Sequence, residues 1–110
     1  MTRVPQPAAL VLNAPHSRFR GTGETFDEMF KYGLAAGYIL SENEVAQLST
    51  GCKVILLDKE KERRAEGQLK TVKKAEKAGN GKQRYDVHFE KAKLVPYISE
   101  SLKRNGVAVI

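Results

Sequence analysis

The chain has 110 residues, 41% of them hydrophobic and 29% charged, enough to bury one core and too few for two. Its formal charge of +6 is uneven: residues 1–50 carry four basic and five acidic side chains, residues 51–110 fifteen and eight. Cys52 is the only cysteine, which excludes an intramolecular disulfide and a cysteine-based zinc cluster, and no apolar run approaches the ~20 residues that span a bilayer.

The expectation is one domain over 1–110, without a membrane anchor of its own and cytoplasmic, since Met1 to Leu12 lacks the apolar stretch of a secretory signal. Residues 1–7, with two prolines, read as an irregular lead-in. Ala8 to Leu12 is a short apolar strand that Asn13-Ala14-Pro15 stops. A polar loop from His16 to Gly23 feeds a helix, for which Thr25 and Glu28 have capping-box spacing. Phe26, Met29, Phe30 and Leu34 recur on one helical face, and Gly37 is the expected terminator. Ser41 and Glu44 repeat the capping-box spacing, predicting a second, short helix through Leu48.

Gly51 to Asp58 reads as a buried strand, followed by a fully charged connection from Lys59 to Arg64. Ala65 to Lys74 and Gln83 to Glu90 are further strands, joined by a loop from Ala75 to Gly81 that contains Gly79-Asn80-Gly81. In the strand from Gln83 to Glu90, Tyr85, Val87 and Phe89 alternate with Arg84, Asp86, His88 and Glu90, so the first set faces the core. An alternative makes Lys59 to Ala78 one charged helix, because its residues are good helix formers. Gly67 and the alternation of Leu69 and Thr71 oppose it. Pro96 ends the strand, Ser99 to Arg104 can form one or two helical turns, and Val107 to Ile110 is a last strand. The count is about five strands, with two helices between the first and the second.

A short strand ending in a polar loop at Leu10-Val11-Leu12-Asn13, an inserted helical region, the Gly51-Cys52-Lys53-Val54 strand start and the Ala65-Glu66-Gly67 entrance to a basic hairpin follow a recognisable order. In that order the chain resembles the pseudo-barrel of the PUA-like superfamily, which includes PUA, EVE and ASCH domains. The resemblance implies RNA or DNA binding, often of a modified or flipped base. Asp58 and Lys59 stand where the ASCH pattern carries its basic partner, so ASCH-like catalysis is not implied. The expected fold class is α+β: a small mixed or antiparallel β-barrel, PUA-like or SH3-like, with one or two helices inserted after the first strand.

Two regions are candidates for binding. In the loop after the first strand Asn13 can donate and accept, His16 can stack or hydrogen-bond, and Arg18 and Arg20 can pair with phosphate. The plainer alternative has Asn13 and His16 satisfying a turn while the arginines are solvated. On the hairpin, Arg63, Arg64, Lys70, Lys73, Lys74, Lys77, Lys82 and Arg84 can follow a phosphate backbone, with counterion release as the driving force. Their alternative role as exposed charges is to keep a sheet edge from pairing with other chains. Tyr32, Tyr38 and Tyr97 are the aromatic side chains available as a stacking platform.

No catalytic residues are assigned. His16 and His88 have no Cys or His at metal-ligand spacing, so no metal or other cofactor is expected, and Cys52 reads as a small buried hydrophobe. Nucleic-acid binding, RNA or DNA, leads the functional reading. An SH3-like module for an acidic protein partner is the alternative, and a small hydrolase on a PUA-like barrel is a third.

Overall fold

The computed structural model describes residues 8–14, 25–77, 79, 81–100, 102 and 107–110. Its elements in chain order are β1 (Leu10–Asn13), α1 (Phe26–Tyr32), β2 (Leu34–Ile39), α2 (Glu42–Ala46), β3 (Lys53–Asp58), β4 (Arg63–Lys77), β5 (Gln83–Val95) and β6 (Val107–Val109). The strands form one mixed sheet in the order β2-β5-β4-β3-β1-β6, curled into a half-barrel. Among the described residues only β1 and β3 run parallel, with the α1-β2-α2 segment in the connection between them.

Strand β3 is central, and its unbroken apolar run follows from burial on both faces. Val54 and Leu56 join the main core with Leu10, Leu12, Met29, Tyr38, Val87 and Phe89. Ile55 and Leu57 face the other way and pack with Val11 and Ala108, where Tyr97 and Leu102 cover them. The half of the sheet built from β1, β3 and β6 is therefore covered on both sides. Across β4 and β5 the outer face carries polar cross-strand pairs instead, Gln68 beside Glu90, Thr71 beside His88 and Lys73 beside Asp86. The expected inward set of Tyr85, Val87 and Phe89 is buried. Arg84, Asp86 and His88 face outward but are half-buried.

The expected helix runs only to Tyr32. Thr25 caps it, its hydroxyl accepting from the Glu28 N–H and donating to the Glu28 carboxylate, both at 3.1 Å. Gly33, not Gly37, ends it: its φ of +65° is left-handed, and its N–H returns to the Met29 carbonyl at 2.9 Å. A side chain there would put a Cβ 2.5 Å from the Phe89 carbonyl oxygen. Leu34 therefore leaves the helix and pairs with His88, opening a strand absent from the sequence reading. The helices thus sit one on either side of β2, not together. At Ser41 the capping box is complete, with Ser41 N–H donating to Glu44 and Glu44 N–H to Ser41 Oγ. That helix stops at Ala46.

Of the stretch from Lys59 to Ala78, residues 59–77 are not a helix, and Ala78 lies outside the described residues. A turn over Lys59 to Glu62 leads into a strand of 15 residues, and β5, with 13, extends well past Glu90. Ala75 to Lys77 of the expected loop belong to β4, and Ala78 and Asn80 lie outside the described residues. Three register shifts bend this long hairpin, between Glu66 and Gln68, Leu69 and Thr71, and Lys74 and Lys77. At the first, β5 carries the extra residue, with Lys91 at φ +56°. Gly67 permits it, since a Cβ there would lie 2.9 Å from the Glu90 carbonyl oxygen and 3.2 Å from Ala92. Pro96 lies just past the end of β5, as expected. Within Ser99 to Arg104, residues 99, 100 and 102 have no helical structure and the rest lie outside the described residues.

Candidate nucleic-acid interface

The basic residues of the hairpin divide into two sets. Arg63 and Arg64 open β4 and point to opposite faces, as the alternation of a strand requires. The Arg63 guanidinium donates to Asp58 Oδ2 at 2.8 and 3.3 Å and to Asp27 Oδ1 at 2.8 Å, and lies 4.5 Å from the Phe26 ring centroid. It ties the start of α1 to the β3–β4 turn, which the Lys61 N–H closes by donating to Asp58. Burial alone would raise the Asp58 carboxyl, but hydrogen bonds from Arg63 and Lys61 and their positive charges outweigh it and hold the group below the usual carboxylate range.

Arg64 is buried, 7% exposed, which corrects its reading as an exposed charge. Its Nε donates to Glu66 at 3.0 Å, and its Nη1 donates to the Ile98 carbonyl at 2.8 Å and to Glu100 at 2.9 Å. Glu66 also accepts from Lys53 Nζ at 3.3 Å. Burial opposes ionisation of Glu66 as well, yet Arg64 and Lys53 together hold its carboxyl low. Arg64 thereby anchors the segment after Pro96 to the sheet. Four hydrogen-bonded carboxylates thus neutralise these two arginines: Asp27, Asp58, Glu66 and Glu100.

The second set lies further out. Lys70, Lys73, Lys74 and Lys77 are exposed on β4 and form no ion pair with a described residue. Lys70 occupies one of the bulges, between the Leu69–Phe89 and Thr71–His88 pairs. Lys82 is exposed beside the loop. Arg84 is half-buried and donates to the Gly37 carbonyl at 2.8 Å, while Asp86 accepts from the Gly37 N–H at 3.0 Å. These two outward side chains of β5 hold the β2 bulge between Ala35 and Tyr38. Lys91 and Lys93 are also exposed. Sequence reading passed over them because it ended the strand at Glu90; their signal is the pair of charges at Lys91 and Lys93 ahead of Pro96.

Of the other candidate region, Asn13 lies at the end of β1 and is half-buried, and its carbonyl accepts from the Tyr38 hydroxyl. His16, Arg18 and Arg20, with Gly21-Thr22-Gly23, lie outside the described residues. Among the three candidate tyrosines, Tyr38 is fully buried and burial pushes its phenol well above the usual range. Tyr97 packs over the outer apolar cluster, and Tyr32 is 56% exposed. Among the described residues no helix is long and apolar enough to cross a membrane, and no group of three His, Cys, Asp or Glu side chains is arranged to hold a metal ion. In comparisons with known proteins, the chain matches no family model, no curated protein sequence and no solved structure.

Proposed function

We propose that this chain is a nucleic-acid-binding domain whose outer hairpin arm lies along a phosphate backbone. The carrying observation is the row of exposed lysines at 70, 73, 74 and 77 on one long, bent strand, without carboxylate partners among the described residues. Lysines that neutralise phosphates release the cations condensed along the nucleic acid, which favours binding without reading sequence. In this proposal Arg63 and Arg64 are structural, since their carboxylates already neutralise them. The curled mixed sheet and the order of its elements support reading the fold as PUA-like, with an SH3-like barrel as the alternative. A small hydrolase on such a barrel would place a buried lysine beside a glutamate and a hydroxyl in one cleft; every described lysine is exposed.

The test replaces Lys70, Lys73, Lys74 and Lys77 with glutamine and titrates single-stranded and double-stranded oligonucleotides at two salt concentrations. Affinity should fall, and the slope of log K against log salt should become shallower by about 0.7 to 0.9 for each phosphate that is no longer neutralised. Unchanged affinity and slope would remove the arm from the proposal. Equal or tighter binding of polyglutamate than of either oligonucleotide would instead favour a module for acidic protein partners.

A further inference from the structure

Tyr32 ends α1 beside a shallow depression whose walls include Lys31, Gly33, Phe89, Glu90 and Lys91. More than half of the tyrosine is exposed, a large apolar ring left in water while Phe26, Tyr38, Tyr85 and Phe89 are buried. Lys31 Nζ stands 5.3 Å from the ring centroid, a cation against the π face. The bulge at Lys91 adds a second exposed lysine to the lining. Backbone pairing links its walls to the lysine arm: the Phe89 N–H donates to the Gly33 carbonyl, and Phe89 pairs with Leu69, next to Lys70. Two strand spacings, about 10 Å, separate Gly33 from the β4 bulge at Lys70.

From this arrangement we infer that Tyr32 is a stacking platform for an unpaired base of a single-stranded nucleic acid, with Lys31 and Lys91 meeting the flanking phosphates. The inference rests on the nucleic-acid reading of the lysine arm and adds strand selectivity to it. A helix C-terminus carries partial negative charge, so the ring there favours a neutral base over a phosphate. The two lysines supply the charge complementarity for the backbone on either side. Stacking requires a base with a free face, which a duplex does not offer, and it tolerates any sequence.

The experiment compares wild type, Tyr32→Ala and Tyr32→Phe by fluorescence anisotropy. The probes are a labelled single-stranded oligothymidine of about twenty nucleotides and a duplex of the same length. Tyr32→Ala should weaken single-strand binding about five- to a hundred-fold without changing its salt slope, leave duplex binding unaltered, and be rescued by Tyr32→Phe. Equal single-strand affinity of wild type and Tyr32→Ala, or an equal loss on both probes, would overturn the stacking role while leaving the lysine arm standing. Failure of the wild type to bind either probe at low salt would overturn the nucleic-acid reading and the platform with it. Because the side chain is exposed, all three proteins should melt within a few degrees of one another; a large drop for Tyr32→Ala alone would assign the ring a packing role instead.

Discussion

At the base of the β4–β5 hairpin the guanidinium groups of Arg63 and Arg64 are each held by two carboxylates, whereas along the outer arm Lys70, Lys73, Lys74 and Lys77 are exposed without an ion pair to any described residue. The two regions share a strand and a sign of charge. They differ in chemistry that suits their surroundings. Arginine presents several donors in a rigid planar fork, so it can satisfy Glu66, Glu100 and a carbonyl at once in a buried site. Lysine is a strongly hydrated point charge on a flexible stem, adapted to water or to a partner whose anionic groups are not fixed in one geometry. Charge at the base serves the fold; charge on the arm is left for solvent or a ligand.

The strongest way to break this comparison is Arg64→Ala. It leaves Glu66 and Glu100 without their main partner and frees the segment that carries Ile98. Removing one member of a buried ion pair should destabilise the domain by about 3 kcal/mol, read from urea unfolding. A loss no larger than that of a surface lysine would return Arg64 to the solvated set.

An intermediate effect is expected at Arg63 and with acid. The folded-state values of Asp58 and Glu66 are depressed, so the stability they contribute is present above the unfolded carboxyl values, about 4, and is lost as pH falls through the lower folded values. Arg63→Ala should cost about 1–2 kcal/mol at neutral pH through the lost charged hydrogen bonds to Asp58 and should flatten the acid limb of the stability curve. Identical acid limbs for the variant and wild type, by thermal melts from neutral pH downward, would contradict this.

The smallest effect belongs to the arm. Glutamine at Lys70, Lys73, Lys74 and Lys77 should change unfolding free energy by no more than about 0.5 kcal/mol per site, while the same variant shifts polyanion binding. A large loss of stability would erase the distinction between the two regions.

How far these roles could be read in advance differs between residues. Alternation alone placed Tyr85, Val87 and Phe89 on the buried face, and the apolar run at Val54 to Leu57 marked a buried strand, which the structure covers on both sides. Capping chemistry fixed the Ser41 helix start. By contrast, Leu34 continues the helical spacing of Phe26, Met29 and Phe30, and only the close passage of Phe89 past Gly33, together with pairing to His88, turns that segment into a strand. The bent hairpin is similar: Gly67 marks a close approach, but which strand carries the extra residue depends on the backbone opposite.

Periodicity, caps and breakers act over a few residues, so local pattern was enough to read a small barrel-like α+β class, the core face of β5, the start of both helices and the concentration of charge in the second half. The partners of Arg64 lie both nearby and far along the chain, at Glu66, Ile98 and Glu100, and Arg63 reaches back to Asp27. An ion pair depends on what the folded sheet sets within a few ångströms, and Coulomb attraction competes with desolvation only there. The tertiary structure alone therefore decided which of these like charges are neutralised in the fold and which remain available on its surface.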